Sequence, residues 1–130
     1  MKNMNKSILE ILLNQKILIV DGAMGTAIQE LNLTESDFGG PQYEGCNEYL
    51  TITQPKVIAK IHSDYLEAGA DIIETNTFGA TSVVLSEYNL QHLSTDINLK
   101  AAELAKATTA LYSTPDKPRF VAGSMGPTTK

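Results

Sequence analysis

The segment QPKVIAKIHSDYLEAGADIIETN, residues 54–76, leaves few folds open to this chain, because it joins a helix to a strand within two residues. Pro55 stands at a helix start, apolar residues recur behind it at helical spacing, and Gly69 is a typical stop signal. The apolar run DIIETN follows after only Ala70. A turn this short is typical of a crossover helix that leads into a parallel strand.

Two further apolar runs predict strands before and after this unit. KILIVD, residues 16–21, is rich in β-branched residues and apolar on both faces, as is expected of a strand buried on both sides. RFVAGSMG, residues 119–126, predicts the last strand. Helical patterns at about 81–88 and 96–112 separate the second and third strands, so the chain is predicted to have an α/β fold with a parallel sheet. The pattern alone leaves a doubly wound sheet and a (β/α)8 barrel as alternatives.

The remaining segments complete this outline. Residues 1–15 predict a short amino-terminal helix, with Asn5 or Ser7 as its N-cap, that packs as a lid on one end of the sheet. Residues 32–53 are rich in Gly, Asn, Thr and acidic residues and predict a long loop, which in a compact domain is usually functional or disordered. The residues of the last helix that are expected to face the core are Leu99, Leu104, Ala105 and Leu111.

Composition and charge argue against some classes of binding partner. The formal charge is −5, and the Lys and Arg residues are scattered, so nucleic acid and anionic membrane surfaces are poor candidates. The first 16 residues interrupt their apolar positions with Asn, Lys and Glu, unlike a signal peptide, and no apolar run is long enough to span a bilayer. The single Cys46 excludes an internal disulfide and is typical of a reducing compartment, so we expect a cytoplasmic protein.

Small and polar residues follow all three predicted strands. The strand ends read DGAMGT at 21–26, ETNTFG at 74–79 and GSMGPT at 123–128. Each taken alone has an ordinary explanation in helix capping or turn formation. The carboxyl ends of parallel strands meet at one edge of the sheet, where ligands are held in both candidate architectures. Three such loops at one edge therefore favour a binding site.

The chemistry of the first loop points to a small amino acid. Glycines allow backbone N–H groups to approach a ligand closely, and such donors attract a carboxylate. Asp21 stands beside them and is suited to an ammonium group. The loop lacks the lysine of a phosphate loop and the glycine spacing of a dinucleotide fingerprint, which argues against a nucleotide.

Three stretches carry a family resemblance. LIVDGAMGTAIQELNL, GCNEYLTITQPKVIAKIHSDYLEAGADIIETNTFGAT and PRFVAGSMGPTTK, taken in order, resemble the opening of the homocysteine S-methyltransferase domain, most closely in its cobalamin-dependent methionine synthase branch. The similarity runs from about residue 16 to residue 130. It implies a (β/α)8 barrel, of which residues 1–130 form a single partial domain with about the first three β/α units, since a complete barrel takes about 250 residues.

The same resemblance implies an activity and a set of substrate residues. The activity is transfer of a methyl group, from methyltetrahydrofolate through cobalamin, to the zinc-activated thiol of homocysteine, which makes methionine. Asp21 matches the residue that takes the substrate's amino group, and the amides of Ala23 and Met24 match the loop around its carboxylate. The full set of matching positions is Asp21, Gly22, Ala23, Met24, Gly25, Thr26, Thr75, Asn76, Thr77, Ser124 and Gly126.

The family's zinc ligands have no counterpart in this sequence. The resemblance implies three cysteines on later strands, which we expect beyond Lys130, whereas Cys46 matches no ligand position and His62 and His92 lack partners at metal spacing. No catalytic or metal-binding residue is therefore expected here, and we expect the chain by itself to be inactive and to bind neither zinc nor cobalamin. Its partners would be homocysteine, the remaining barrel strands, and folate and cobalamin modules.

Three alternatives remain open at this stage. The first is a stand-alone homocysteine methyltransferase that uses betaine or S-methylmethionine, which would share these strand-end loops. The second is a non-catalytic half-barrel that serves as a binding or assembly module, and the third is an open α/β domain that binds no amino acid. Saturable homocysteine binding without metal would favour the module over an incomplete enzyme.

An incomplete barrel is not expected to form a stable monomer. Three strands leave an unpaired sheet edge and apolar helix faces in contact with water. We predict that the isolated 130-residue chain self-associates or is only marginally stable, as measured by sedimentation velocity and thermal unfolding. A monomer with cooperative unfolding would contradict this expectation.

Overall fold

Three parallel extended segments lie side by side in the structure, a computed structural model that describes residues 6–128. Strand β1, Ile72–Glu74, pairs in parallel with β2, Phe120–Ala122, with Ile73 opposite Val121. On the other side of β1, Val20 forms a single parallel bridge with Ile72. The predicted α/β class with a parallel sheet is confirmed. Within residues 6–128 the sheet stays open, so barrel closure remains a prediction.

Helices cover the sheet and connect its strands. The longest two, Pro55–Glu67 (α4) and Ser94–Tyr112 (α6), pack against each other and against β1. Short 3-10 turns at Pro41–Tyr43, Asn47–Tyr49, Ser86–Tyr88 and Gln91–Leu93 supplement the helices. The helices are α1 Ile8–Leu13, α2 Met24–Glu30, α3 Leu50–Thr53, α4 Pro55–Glu67, α5 Ser82–Leu85 and α6 Ser94–Tyr112.

The junction between α4 and β1 forms as its sequence predicts. Gly69 follows the cap residue Ala68 with φ +113°, a conformation that a Cβ would strain. The N–H of Ala70 donates to the Tyr65 carbonyl at 3.0 Å, and the N–H of Gly69 donates to the Leu66 carbonyl at 3.1 Å. This is the bonding pattern of a Schellman cap, which ends the helix and turns the chain directly into the strand.

The predicted strand 16–21 is wrong in its length, because carboxylates end the ladder on both sides of Val20. The Ile19 N–H donates to the Asp71 Oδ2 at 2.9 Å, and the Glu74 N–H donates to the Asp21 Oδ2 at 3.0 Å. In a regular parallel ladder both N–H groups would instead donate to backbone carbonyls of the neighbouring strand. Between the two carboxylates the pairing consists only of backbone hydrogen bonds among Ile19, Asp21, Asp71 and Ile72.

The prediction that this segment is buried on both faces is also wrong. Ile17 is 86% exposed and Ile19 is 56% exposed. The physical reason is that, among the described residues, this segment pairs with β1 on one side and with no strand on the other. Apolar residues that sequence reasoning assigns to a closed core therefore lie at an open edge.

The ends of the chain and the last helix need similar corrections. Ser7 is the N-cap of α1 and forms a capping box with Glu10, but α1 buries no residue, so the predicted lid packing is not formed. Residues 1–5 of the predicted helix lie outside the described residues. In α6, Ala105 is buried as predicted, whereas Leu99 and Leu111 are exposed.

The exposure of these two leucines follows from helix geometry. The buried face of α6 contains Ile97, Ala101, Ala105, Thr108 and Thr109. At about 100° per residue, Leu99 lies about 150° and Leu111 about 90° from the centre of that face. On the side that faces α4, Ala105 joins the cluster of Leu66, and the partly buried Leu104 packs against the cluster that contains Ile58 and Ile61, as predicted for these two residues.

The segment 32–53 lacks long elements, as predicted, but it is folded. It contains two 3-10 turns and α3, and it buries Phe38, Cys46, Leu50 and Thr51. Phe38 and Leu50 join a core cluster with Ile58 of α4. This segment is therefore fixed against the crossover helix beside the strand ends.

Asp71 is predicted to be a principal anchor of the sheet. It is buried, its Oδ2 receives the Ile19 N–H, and its Oδ1 lies 3.7 Å from the Lys16 Nζ and 3.9 Å from the Lys117 Nζ. Replacing Asp71 with Ala should lower the free energy of unfolding by about 1–3 kcal/mol, since it leaves a backbone donor without its acceptor. Urea unfolding followed by circular dichroism measures the change.

The matched control is Asp64→Ala, which removes the exposed ion pair with Lys60 on α4. That variant should lose about 0.5 kcal/mol or less. Equal losses in the two variants would show that Asp71 is no more than a surface charge.

Candidate functional site

A cavity of about 450 Å³ lies at the carboxyl ends of the strands, where the sequence predicts the site. Its walls come from the loop after Val20, from the loop after β1, from the turn after β2 and from the segment 32–53. The lining residues are Asp21, Gly22, Ala23, Met24, Gly25, Asn47, Glu48, Glu74, Thr75, Asn76, Thr77, Phe78 and Ser124.

The structure brings together nine of the eleven predicted substrate residues, and only Thr26 and Gly126 lie outside the lining. Gly126 instead contacts the turn after β1. Its N–H donates to the Phe78 carbonyl at 2.9 Å, and a Cβ on Gly126 would lie 2.5 Å from that oxygen. The glycine thus allows the turn after β2 to contact the turn after β1 through the backbone, which shapes the rim of the cavity.

The two oxygens of the Asp21 carboxylate differ in their hydrogen bonding. Oδ2 receives the Glu74 N–H, whereas Oδ1 is buried and has no hydrogen-bond partner within residues 6–128. Burial raises the pKa of Asp21 to about 6, opposed by the hydrogen bond from the Glu74 N–H and reinforced by the nearby Glu74 charge. A buried carboxylate oxygen without a donor is suited to a cationic ligand group, which would supply the missing hydrogen bond.

The backbone of the first loop is supported from below by α4. The Tyr65 hydroxyl donates to the Ala23 carbonyl at 3.0 Å, and a Cβ on Gly22 would lie 2.9 Å from that hydroxyl oxygen. Gly22 therefore permits the close approach of Tyr65. Helix α2 begins at Met24 and has no side-chain cap, so its first N–H groups have no partner inside the helix. Its first two residues, Met24 and Gly25, are among the residues that line the cavity.

The hydroxyl groups of the two threonines after β1 donate their hydrogen bonds within the protein and not to the cavity. Thr77 Oγ1 donates to the Ser124 carbonyl at 2.8 Å, so the Thr75 hydroxyl must donate to Thr77 Oγ1 at 2.6 Å. Thr75 Oγ1 in turn accepts the Ser124 N–H at 3.1 Å. Both hydroxyl protons are used within the protein, and Thr75 and Thr77 can therefore only accept a hydrogen bond from a ligand.

Asn47, Glu48, Glu74 and Phe78 line the cavity but were not among the predicted site residues. The Asn76 amide donates to the Asn47 carbonyl at 2.9 Å, and Glu48 Oε1 accepts the Gly79 N–H at 2.9 Å. The length of the segment 32–53 was the available signal, since long loops in compact domains are often functional. Nothing in its local pattern indicated which two of its residues would reach the strand ends.

The charge of the cavity is negative. Asp21, Glu48 and Glu74 are among its lining residues, and no Lys, Arg or His is. Carboxylates in a concave, partly dry site raise the local concentration of cations. The cavity therefore suits a ligand that carries an ammonium group, with neutral N–H groups left to bind any carboxylate on the same molecule.

The described residues do not fit a metal ion. Within residues 6–128 no three His, Cys, Asp or Glu side chains lie close enough together to hold one. Cys46 is buried among Ala80, Leu85, Leu90 and Ile97, and burial raises the pKa of its thiol to about 11. His62 is fully buried, which lowers its pKa to about 4. Neither is among the residues that line the cavity.

No helix among the described residues is both long and apolar enough to cross a membrane.

Comparison with known proteins gives the site its family context. Residues 18–130 match the family described as homocysteine S-methyltransferase. Crystal structures of the homocysteine methyltransferase MmuM from Escherichia coli are similar in fold. The metallated form has a TM-score of 0.73 at 27% identity over 92% of this chain, and the oxidized form 0.75 at 28% over 94%. The chain spans 41% of the length of each. This chain belongs to the homocysteine S-methyltransferase family.

Proposed function

We propose that this chain forms the part of a homocysteine S-methyltransferase that holds the amino-acid end of homocysteine. The observation that carries the proposal is that Asp21 lines a negative cavity while its buried Oδ1 lacks a donor among the described residues. The substrate's ammonium group would donate to this oxygen. Its carboxylate would meet backbone N–H groups of the Ala23–Gly25 loop, with the predicted residues of the other two strand ends completing the cavity.

The reaction of the whole protein is then a methyl transfer to sulfur. The homocysteine thiol gives up its proton, a C–S bond forms to the incoming methyl group, and the bond from that methyl group to its donor breaks. The side chains described here bind and orient the amino acid, and Thr75 and Thr77 hold two strand ends at a fixed separation. In this proposal the remaining strands close a (β/α)8 barrel around the cavity.

The metal of this proposal lies outside the described residues. The family resemblance implies zinc, which would hold the substrate sulfur as thiolate, the nucleophilic form. Because residues 6–128 offer no ligand set, we propose that ligands on later barrel strands hold it.

Asp21→Asn tests the binding role directly. In the full-length protein the variant should raise the dissociation constant for homocysteine by about tenfold or more, because a charge-assisted hydrogen bond becomes a neutral one. Isothermal titration measures the affinity, and metal content measured in parallel should be unchanged. Glu74→Gln is the matched control, since it removes an exposed carboxylate from the same cavity and should change the affinity much less.

The pH dependence provides an independent check of the same residue. Below about pH 6 the free protein carries a protonated Asp21, which must lose its proton before it can accept an ammonium group. Affinity should therefore fall as the pH drops through 6 in the wild type and vary little with pH in Asp21→Asn. Parallel pH profiles in the two proteins would exclude Asp21 as the ammonium partner.

The methyl donor is the finer part of the proposal. The sequence similarity to the cobalamin-dependent branch leads us to propose methyltetrahydrofolate as the donor, acting through cobalamin. Full-length protein should then form methionine from homocysteine with methylcobalamin and should leave betaine and S-methylmethionine unused. Turnover with either of the latter donors alone would place the protein in the stand-alone class instead.

A further inference from the structure

We propose that Asn47 contacts the substrate and selects for the carboxylate of the amino acid, an inference that rests on the proposed function. Asn47 begins the 3-10 turn Asn47–Tyr49 in the segment 32–53 and lines the cavity with Asp21 and Gly25. Neither the predicted substrate residues nor the family match assigns it a role.

The backbone around Asn47 is held from several sides. Its carbonyl accepts the Asn76 amide at 2.9 Å, and its N–H donates to the Gly45 carbonyl at 3.0 Å. On either side, Cys46 is buried in the core and Glu48 accepts the Gly79 N–H. All these contacts use the backbone of Asn47 or the side chains of its neighbours. The Asn47 side chain is therefore placed precisely without taking part in the fold.

The Asn47 amide is free to bind a ligand. Its side chain makes no hydrogen bond to any described residue, and its Nδ2 lies 3.8 Å from the position that a Cβ on Gly25 would occupy. Three other polar side chains of the cavity already donate within the protein. Thr75 and Thr77 donate within the protein, and Asn76 Nδ2 donates to the Asn47 carbonyl and to Thr51 Oγ1.

The position beside Gly25 indicates which ligand group the amide meets. The ammonium and carboxylate of an α-amino acid share one carbon atom, so their partners must lie in the same part of the cavity. Asp21 and Gly25 stand four residues apart on one loop, and Asn47 faces that loop from the segment 32–53. With no Lys or Arg in the lining, a carboxylate finds only neutral side-chain donors there, the Asn47 amide and the Ser124 hydroxyl, and the Asn47 amide is the one beside Gly25.

The test compares Asn47→Ala and Asn47→Asp in the full-length protein, with homocysteine as substrate and 3-aminopropane-1-thiol, which lacks the carboxylate, as competitor. Asn47→Ala should raise the KM for homocysteine roughly tenfold with little change in kcat. Asn47→Asp should raise KM further, because it places a like charge beside the substrate carboxylate. The inhibition constant of the carboxylate-free thiol should change less than about twofold in Asn47→Ala and should not rise in Asn47→Asp, because an added carboxylate does not repel an ammonium group.

The order of the two variants separates binding from structure. If Asn47 only supports the fold, the isosteric Asp should be tolerated better than Ala, and a KM for Asn47→Asp at or below that of Asn47→Ala would overturn the proposal. An unchanged KM in both variants would overturn it as well. Gln42→Ala, in the same segment but outside the cavity lining, is the matched control and should leave KM unchanged.

Asp21→Asn, run in the same series, distinguishes failure of this inference from failure of the proposed function. If Asp21→Asn weakens both thiols while the Asn47 variants behave as wild type, only the role of Asn47 is wrong. If Asp21→Asn also leaves both thiols unaffected, the proposed amino-acid site itself is wrong.

Discussion

The short pairing between Ile19–Asp21 and Asp71–Ile72 is the interaction on which the other features of this structure depend. A carboxylate stands at each end of it, and each receives a backbone N–H that a longer ladder would give to a carbonyl. Asp71 is buried, and its negative charge is offset by the ammonium groups of Lys16 and Lys117. Because the ladder ends at Asp21, the residues after it do not pair with β1 and instead form the loop that lines the cavity. The position of the site thus follows from where the pairing stops.

Around this pairing the polar groups fall into two classes. Thr75, Thr77 and Asn76 are buried and donate their protons within the protein, which joins the strand ends and the segment 32–53 into one wall. Asp21 Oδ1 and the Asn47 side-chain amide form no hydrogen bond with another described residue. Groups of the first class give the cavity its shape, and groups of the second class are left for a ligand. Residue type alone does not separate the classes, since Asn47 and Asn76 belong to different ones.

Local signals predicted much of the fold and part of the site. Pro55 and Gly69 bound α4 as expected, because helix starts and stops depend on residues within one turn of each other. That residues of the first two strand ends line one cavity was predictable, because strand ends in a parallel sheet meet by topology. The length of the first strand was not predictable, since it depends on Asp71, which is 52 residues away from Ile19 in sequence. Asn47 and Glu48 were missed for the same reason, because contacts across 29 and 31 residues bring them to the cavity.

The divided carboxylate of Asp21 has a thermodynamic consequence. Its two oxygens share one protonation state, so the charge that would attract an ammonium group is the same charge that receives the Glu74 N–H at the end of the ladder. A cation bound at Oδ1 would favour the ionised form and so strengthen the bond at Oδ2. By mass action the folded population of this strand end would then rise with the concentration of free amino acid. An amino acid bound in the proposed way would act in part as a folding ligand for this wall of the cavity.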